Sequence, residues 1–261
     1  MKGEKMKHIS FTQINMLLRC PQQYEFRYIH GLKIPPKSAI AFGRATHRAI
    51  EEDNKEKLKN NRPLKLSTLQ DIFVETLEQE PEILFDEGED LASLKDEGAK
   101  KIIPLYYEVV SPKIEPLLVE DEFTIHFENV DYAVKGKIDL VDTKERIEEF
   151  KFVKRKPTQY EKPLPELQLS FYSLGYKIKK GRLPKGADKI YFVRNKEPKV
   201  FTEKEKRTLE DLNNLLFLIS KAMQMIEKGI FLPNFNNVMC NPKSCGYFHL
   251  CKKKWSRKIV I

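Results

Sequence analysis

Two carboxylates and a lysine lie close together in one stretch of the chain. Glu149 and Lys151 are two residues apart in the segment RIEEFKFV, and Asp139 lies ten residues before Glu149. Because side chains alternate along a strand, a strand here would place Glu149 and Lys151 on one face. Carboxylate oxygens are ligands that Mg²⁺ and Mn²⁺ accept together with water and a substrate phosphate. A metal held in this way would polarise a phosphodiester oxygen and lower the pKa of a bound water, while Lys151 positions that water or stabilises transition-state charge.

The same three side chains also fit a more ordinary feature, an exposed ladder of ion pairs on neighbouring strands. The residues on either side of them favour the catalytic interpretation, because they are apolar: Ile138, Leu140, Phe150 and Phe152. Strands with this pattern have one fully buried face, and we expect the charged face to be partly enclosed.

The cysteines form a second constellation, one near the start of the chain and three near the end. The last three follow the pattern C-x4-C-x5-C in a segment that contains proline and glycine. Four thiolates fit either tetrahedral Zn²⁺ or a [4Fe-4S] cluster, and four unrelated buried thiols are the ordinary alternative. The spacing leaves these readings open for Cys20, Cys240, Cys245 and Cys251.

The charge balance favours a polyanionic partner. The 261 residues include 47 basic and 38 acidic side chains, a formal net charge of +9. Residues 71–100 hold eleven acidic and two basic side chains, which indicates a solvated acidic helical flank. Basic runs adjoin the two constellations and predict contacts with phosphates; they lie at 151–156, 177–185 and 252–258.

Hydrophobic periodicity predicts the elements that must position these residues. Ser10 and Gln13 form a capping-box pattern at the first helix, and the third helix places His47 and Glu51 one turn apart on one face. We predict helices at 10–20, 21–31, 40–60, 95–109, 164–180 and 203–228, with Gly229 as a C-cap, and strands at 121–128, 132–142, 146–153, 188–194 and 198–201. This order predicts an α/β or α+β fold with a central mixed sheet.

Several classes of protein are disfavoured. The chain has no run of roughly 18 apolar residues, and its charged start lacks the apolar core of a secretory signal. We therefore expect a cytoplasmic protein with no membrane association, in which thiols are more often free or metal-bound than paired as disulfides. The sequence has no helix-turn-helix or zinc-finger signature and no G-x-x-x-x-G-K-[ST] loop, so we expect neither sequence-specific duplex reading nor a motor.

An ordered set of motifs resembles the PD-(D/E)XK nuclease superfamily, and within it the RecB-family exonucleases, which include the CRISPR-associated adaptation nucleases. The segment Phe42 to His47 (FGRATH) resembles the family's helix with a histidine metal ligand. The matches span roughly residues 9 to 255, and the other motifs are Ser10-x-Thr12, Cys20-Pro21-x-x-Tyr24, Gly136-x-x-Asp139, Glu149-x-Lys151 and Gln168-x-x-x-Tyr172.

The resemblance implies a restriction-endonuclease-like α/β core, with a central mixed β-sheet flanked by helices, an N-terminal helical segment and a C-terminal iron-sulfur loop. It implies a single nuclease domain over residues 1–261. Within it we expect a mainly helical part with His47 (1–115), a catalytic sheet and helix (116–202), and a C-terminal helix and cysteine loop closed onto Cys20 (203–261).

The resemblance also implies roles for individual residues. His47, Asp139 and Glu149 would bind Mg²⁺ or Mn²⁺ together with the Phe150 carbonyl. Separately from the resemblance, the shared helix face makes Glu51 a candidate for orienting His47. Taken singly, His47, Gln168 and Tyr172 are ordinary helix residues. The implied catalytic set is Asp139, Glu149, Lys151, Gln168 and Tyr172.

One cysteine before the nuclease core and three after it is the pattern of the family's iron-sulfur members, which include AddB-type nuclease domains. The resemblance thus favours a structural [4Fe-4S] cluster over Zn²⁺ at the four cysteines. Those relatives usually carry C-x2-C-x5-C, and the x4 gap of this chain departs from that pattern.

These inferences together predict a metal-dependent DNA exonuclease that acts on single-stranded ends, alone or with a helicase or recombination partner. The alternatives are a spacer-processing nuclease of CRISPR adaptation and a non-catalytic nucleic-acid-binding scaffold; the intact Asp139, Glu149 and Lys151 argue against the scaffold. Expected DNA contacts are Arg44, Lys154, Arg155 and Lys156 for phosphates, and Tyr24, Tyr28, Phe248 and Trp255 for stacking on bases.

Overall fold

The computed structural model describes residues 7–127, 132–158 and 167–256. The predicted turn at 129–131, the predicted helix start at 164–166 and the end of the last basic run lie outside these ranges. The chain forms two compact units, the first from Met1–Ile34, Thr124–Gly136 and Asn213–Ile261, and the second from Pro35–Phe123 and Lys137–Leu212.

The helices of the described residues follow the predicted order in most places. They are α1 (Phe11–Arg19), α2 (Pro21–Tyr24), α3 (Ser38–Asn60), α4 (Leu66–Glu78), α5 (Leu91–Glu97), α6 (Ile103–Leu105), α7 (Leu167–Lys180), α8 (Leu209–Glu227) and α9 (Phe248–Trp255). Short π-helical turns extend three of them, at Glu25–Ile29, Gly98–Ile102 and Tyr106–Val110. None of the helices in the described ranges is long and apolar enough to cross a membrane.

Within the described ranges, six strands form a mixed sheet: β1 (Lys7–Ser10), β2 (Pro116–His126), β3 (Tyr132–Asp142), β4 (Arg146–Val153), β5 (Gly186–Val193) and β6 (Lys199–Glu203). The order is β1-β3-β4-β5-β6, with β2 also paired to β3. β3 and β4 are antiparallel, β4 and β5 are parallel, and β5 and β6 are antiparallel. The mixed α/β architecture with a central mixed sheet flanked by helices is therefore confirmed.

The β3–β4 hairpin determines where the candidate catalytic carboxylates lie. Val141 pairs with Ile147, and the turn between the strands places Glu145 at a left-handed φ of 61°. The backbone N–H of Arg146 donates to Oδ1 of Asp142 at 2.8 Å, which closes the turn. Asp139 and Glu149 therefore lie on adjacent strands.

The core of the second unit packs α3 and α4 with the sheet. Phe42 and Phe73 are fully buried and meet edge to face, with their ring centroids 5.2 Å apart. The same cluster includes Leu140 and Phe150, the apolar neighbours of Asp139 and Glu149. Burial of these residues thus fixes the strands that carry the two carboxylates.

The first unit contains α1, α9 and all four cysteines. The predicted capping box is present: Ser10 N–H donates to Gln13 Oε1 at 2.7 Å, and Gln13 N–H donates to Ser10 Oγ at 3.3 Å. Phe26 stacks on Tyr247 with their centroids 5.6 Å apart, and Cys245 belongs to the same buried cluster.

Several element boundaries differ from the prediction. Strand β1 was not predicted, because four residues carry too little periodicity and its partner β3 is far away in sequence. β2 begins at Pro116 instead of 121. α8 begins at Leu209 instead of 203, because β6 extends to Glu203 and Thr208 and Asp211 form reciprocal capping hydrogen bonds at the helix start. Part of the predicted cysteine loop is helix α9, which carries Cys251.

Candidate active site

The predicted catalytic residues of β4 and α7 form one hydrogen-bonded group in the second unit. The Lys151 ammonium donates to Glu149 Oε1 and, at 2.9 Å, to Gln168 Oε1. The Gln168 amide in turn donates to Glu149 Oε2 at 3.1 Å. Glu149, Lys151 and Gln168 therefore form a closed triangle around a carboxylate that is only 1% exposed.

Tyr172 extends this group to the neighbouring strand. Its hydroxyl accepts from Gln168 Nε2 at 2.9 Å and donates to Asp139 Oδ1 at 2.9 Å. Gln168 and Tyr172 are four residues apart on α7, so they share one face of the helix. One helical turn thus holds both carboxylates, Asp139 on β3 and Glu149 on β4.

His47 on α3 approaches the site from the side of Asp139. Its Nδ1 lies 4.0 Å from Asp139 Oδ2, and its side chain is 37% exposed. The imidazole also has a hydrogen bond to the backbone of Phe150 and meets the Phe152 ring edge to face, with 5.4 Å between centroids. His47 therefore lies beside the Phe150 backbone, the carbonyl of which was predicted as a further metal ligand.

Burial and like charges change the proton affinities in the site. Burial, followed by the negative charge of Glu149, raises the pKa of Asp139 to about 8. Partial desolvation by the surrounding protein lowers the pKa of the half-buried His47, which favours the neutral imidazole that metals bind. Burial, together with the nearby carboxylates, raises the pKa of Tyr172 well above its ordinary value, so its hydroxyl remains a donor.

The two carboxylates are oxygen donors of the kind that Mg²⁺ and Mn²⁺ prefer, so they fit the implied ion, whereas the imidazole of His47 is a donor more typical of other transition metals. The side chains of His47, Asp139 and Glu149 are not arranged as a complete metal-binding site. Within residues 7–127, 132–158 and 167–256, no three His, Cys, Asp or Glu side chains form a group arranged to hold a metal ion.

Sequence reasoning missed Glu120, which lies beside the same site. It lines a small cavity of about 10 Å³ together with His47, Glu51, Asn54 and Asp139. Its φ of 52° is unusual for a residue inside a strand. Burial and the charge of Glu51 raise the pKa of Glu120, and Lys137 pairs with its carboxylate. The predicted strand begins at 121, so Glu120 lies outside it. A predicted start at Pro116 would have placed Glu120 within the strand next to β3.

Glu51, predicted as a partner that orients His47, is engaged elsewhere. Its carboxylate pairs with Arg48 at 2.9 Å and with Lys55. It lines the small cavity with His47, but the ion pairs with Arg48 and Lys55 account for the contacts of its Oε1.

The four cysteines line a single cavity of about 340 Å³ in the first unit. They are free thiols. The Gln23 amide donates to Cys245 Sγ at 3.1 Å, and the Asn234 N–H donates to Cys20 Sγ at 3.5 Å. Burial and the three other thiols raise the pKa of Cys251 to about 11. The four thiols are donors of the kind that zinc and a [4Fe-4S] cluster use, but within the described residues they do not form a group arranged to hold a metal ion.

Two of the predicted phosphate contacts are paired with acidic side chains. Arg44 lies 2.9 Å from Glu80, and Lys154 lies 2.7 Å from Glu89 and 3.3 Å from Asp86. The ammonium of a third contact, Lys156, lies 4.4 Å from the Phe201 ring centroid, while Arg155 is exposed.

The predicted stacking residues differ in exposure. Tyr24 is 5% exposed and stacks on Phe231 at 5.9 Å, which does not support a role in binding bases. Tyr28 and Phe248 are half-buried, whereas Trp255 is exposed.

The fold and the site together define a class, the α/β nucleases in which two carboxylates and a lysine project from adjacent strands of a mixed sheet. A family model of the PD-(D/E)XK nuclease superfamily matches residues 8–252, and the chain belongs to that superfamily. Among curated proteins, none matches the chain.

Solved structures share the fold at low sequence identity. A crystal structure described as a "Putative exonuclease" from Eubacterium rectale is 12% identical, with a TM-score of 0.63 over 98% of this chain and 91% of that chain. The structure of a protein called SSO0001 is 15% identical over 96% of this chain and 88% of that chain, with a TM-score of 0.41. The first of these similarities establishes the fold.

Proposed function

We propose that the protein is a metal-dependent DNA exonuclease of the RecB-like type that acts on single-stranded ends. The observation that carries the proposal is the hydrogen-bonded group from Lys151 through Glu149 and Gln168 to Tyr172 and Asp139. An ion-pair ladder on a solvated face would not need a buried glutamate held by a glutamine and a tyrosine from a separate helix. The description of the structural neighbour as an exonuclease agrees with this proposal.

Each residue of the group has a defined task. His47, Asp139, Glu149 and the Phe150 carbonyl would hold Mg²⁺ or Mn²⁺, and an ion bound there would supply Lewis-acid polarisation of the phosphodiester and a more acidic water. Lys151, fixed by Glu149 and Gln168, positions the attacking water and stabilises negative charge that develops on the phosphate. Gln168 and Tyr172 fix the orientation of the two carboxylates.

The cysteine cavity holds a structural [4Fe-4S] cluster in this proposal, with Zn²⁺ as the alternative occupant. The shared cavity supports a common ligand for Cys20, Cys240, Cys245 and Cys251. Such a ligand would connect the two ends of the chain within the first unit and stabilise it against unfolding.

Degradation of end-labelled single-stranded DNA in Mg²⁺ or Mn²⁺ tests the catalytic proposal. Glu149→Gln should abolish cleavage, because it removes the charge that holds Lys151. Glu148→Gln is the matched control: Glu148 is the preceding buried carboxylate, and burial together with the charges of Asp188 and Asp142 raises its pKa to about 8. Equal activity of wild type and Glu149→Gln, or an inert wild type, would contradict the proposal and favour a non-catalytic scaffold.

A comparison of linear with circular single-stranded DNA tests the requirement for ends. An exonuclease degrades the linear strand and leaves the circle intact. Cleavage of both at similar rates would identify an endonuclease instead. Addition of a helicase or recombination partner should raise the rate on duplex ends if the protein works as one subunit of a larger machine.

Anaerobic purification tests the cluster. We expect a brown protein with absorption in the visible range and about four iron atoms per chain. Replacement of Cys240 by Ala should remove the colour and lower the melting temperature. A colourless protein that carries stoichiometric zinc would contradict the cluster assignment and leave the catalytic proposal untouched.

A further inference from the structure

The C-terminal part of the first unit exposes an unusual amount of apolar surface. We name residues 228–256 the cysteine segment. Phe235 is 61% exposed, Val238 88% and Trp255 42%, and Leu232 and Met239 are also exposed. Monomeric proteins rarely present large apolar side chains in such density without a binding function. The cysteine segment is therefore a candidate interaction surface.

The charge of the cysteine segment indicates the class of partner. Its sequence has five lysines, at positions 228, 243 and 252–254, and it has neither aspartate nor glutamate. Lysines attract a polyanion, and exposed aromatic faces bind a partner that presents flat apolar surfaces. Single-stranded nucleic acid has both properties, because its phosphates are charged and its bases are unpaired.

Aromatic and basic side chains meet at one place in this segment. Phe235, Met239, Lys252 and Trp255 all line the cavity that the cysteines share. Because Phe235 and Trp255 line the cavity and are also exposed, they lie at its opening. The opening thus combines two aromatic rings with a lysine.

The Trp255 ring is held in place before any ligand arrives. Its Nε1–H donates to Gln22 Oε1 at 2.8 Å, and Gln22 is 1% exposed. Lys254 donates to Glu25 Oε2 at 2.5 Å and lies 5.6 Å from the Trp255 ring. A ring that is already fixed loses little conformational entropy when a base stacks on it.

We propose that the cysteine segment binds the bases of single-stranded DNA, with Phe235 and Trp255 as the stacking residues and Lys252 and Lys253 of α9 as the phosphate contacts. The proposal rests on the proposed function, because it describes how the substrate strand of that nuclease is held. It adds a second binding surface to the site formed by Asp139, Glu149 and Lys151.

Binding of a short labelled oligothymidylate in EDTA, followed by fluorescence anisotropy, tests this surface. An abasic oligomer with the same number of phosphates separates stacking from charge. We expect tighter binding of the oligothymidylate, and a roughly 5- to 150-fold loss with Phe235→Ala, since one stacked base contributes that range. Binding of the abasic oligomer should not respond to Phe235→Ala.

Phe217→Ala is the matched control. Phe217 is 60% exposed and belongs to the first unit, but it is outside the cysteine segment. Its ring centroid lies 5.4 Å from the Lys221 ammonium. The Phe217→Ala variant should bind the oligothymidylate as tightly as the wild type does. Trp255 is the chain's single tryptophan, so quenching of intrinsic fluorescence by the oligothymidylate, and not by the abasic oligomer, reports stacking directly.

Three results would contradict the proposed DNA-binding surface. The first is equal affinity for the two oligomers, and the second is an equal loss of affinity with Phe235→Ala and with Phe217→Ala. The third is a wild-type dimer in light scattering that Phe235→Ala converts to a monomer. Cleavage of the oligothymidylate in Mn²⁺, measured in parallel, separates the two proposals. Cleavage without base-dependent binding contradicts only the proposed DNA-binding surface. Base-dependent binding without cleavage contradicts only the proposed nuclease activity.

Discussion

The hydroxyl of Tyr172 donates a 2.9 Å hydrogen bond to Oδ1 of Asp139, although the two residues are 33 positions apart in the chain. One turn earlier on α7, the Gln168 amide donates to Glu149. The helix therefore contacts both candidate metal-binding carboxylates at once. Because the strands alone fix only the backbones of β3 and β4, α7 determines how the carboxylate groups are oriented.

Tyr172→Phe should weaken the metal site without unfolding the protein. The change removes the donor to Asp139 and keeps the buried ring. Loss of a hydrogen bond that orients a metal-binding residue typically lowers metal affinity or activity by about 10- to 100-fold. Titration of activity against Mn²⁺ should show a higher half-saturating concentration. Tyr107 lies on a helical turn outside this hydrogen-bonded group, so Tyr107→Phe should leave the half-saturating Mn²⁺ concentration unchanged.

Lys151→Met should lower kcat more than it raises KM. The side chain keeps a similar length but loses the charge that contacts Glu149 and Gln168. Removal of one donor that stabilises developing charge costs roughly 100- to 1,000-fold in kcat. Single-turnover cleavage under saturating enzyme measures the chemical step. Lys154→Met, three residues further, should affect substrate binding and not this step; equal loss of kcat in the two variants would contradict the special role of Lys151.

Glu80→Gln combined with Glu89→Gln should strengthen binding to single-stranded DNA. These carboxylates pair with Arg44 and Lys154, the predicted phosphate contacts. Both cations are more than half exposed, and ion pairs of this kind contribute little to stability, so the melting temperature should change little. Release of Arg44 should steepen the slope of log K against log [salt] by about 0.7, and Lys154, which keeps Asp86 at 3.3 Å, should add a smaller increase, as measured by anisotropy in a salt series.

A second double variant with the same change in net charge serves as the control for the effect on Arg44 and Lys154. Glu82→Gln with Glu87→Gln removes two exposed acidic side chains from the same acidic stretch. It should raise affinity only slightly and leave the salt slope near the wild-type value. Identical slopes for the two double variants would show that Arg44 and Lys154 do not contact phosphate.

Asp53→Ala should destabilise the second unit strongly. The Asp53 carboxylate is fully buried and accepts from Leu64 N–H at 3.0 Å, Tyr106 at 2.7 Å and Ser111 at 2.7 Å. The Lys57 ammonium lies 3.3 Å away, so the substitution also leaves a half-buried cation without its partner. We expect a loss of about 3–5 kcal/mol in the free energy of unfolding, measured by urea denaturation. Asp71→Asn, on an exposed face of α4, should change it by less than about 0.5 kcal/mol.

Much of the local structure can be read from the sequence. Alternation placed β3 and β4 within the observed bounds, because each strand has one apolar face that must be buried. The capping box at Ser10 and the left-handed Gly229 after α8 were likewise predicted, since a few adjacent residues determine such ends. The spacing of Glu149 and Lys151 by itself also fits an exposed ion-pair ladder, and the ordered set of motifs that resembles a nuclease family is what favours phosphodiester chemistry.

Relations between distant segments were decided only by the tertiary structure. The burial of Tyr24 against Phe231, the pairing of Arg44 with Glu80 and the position of Glu120 beside Asp139 depend on segments that lie far apart in the chain. Periodicity reports which face of an element is buried, but not which partner covers it. The orientation of the carboxylates and the raised pKa of Asp139 arise from packing and exclusion of water, which exist only once α7, β3 and β4 have come together.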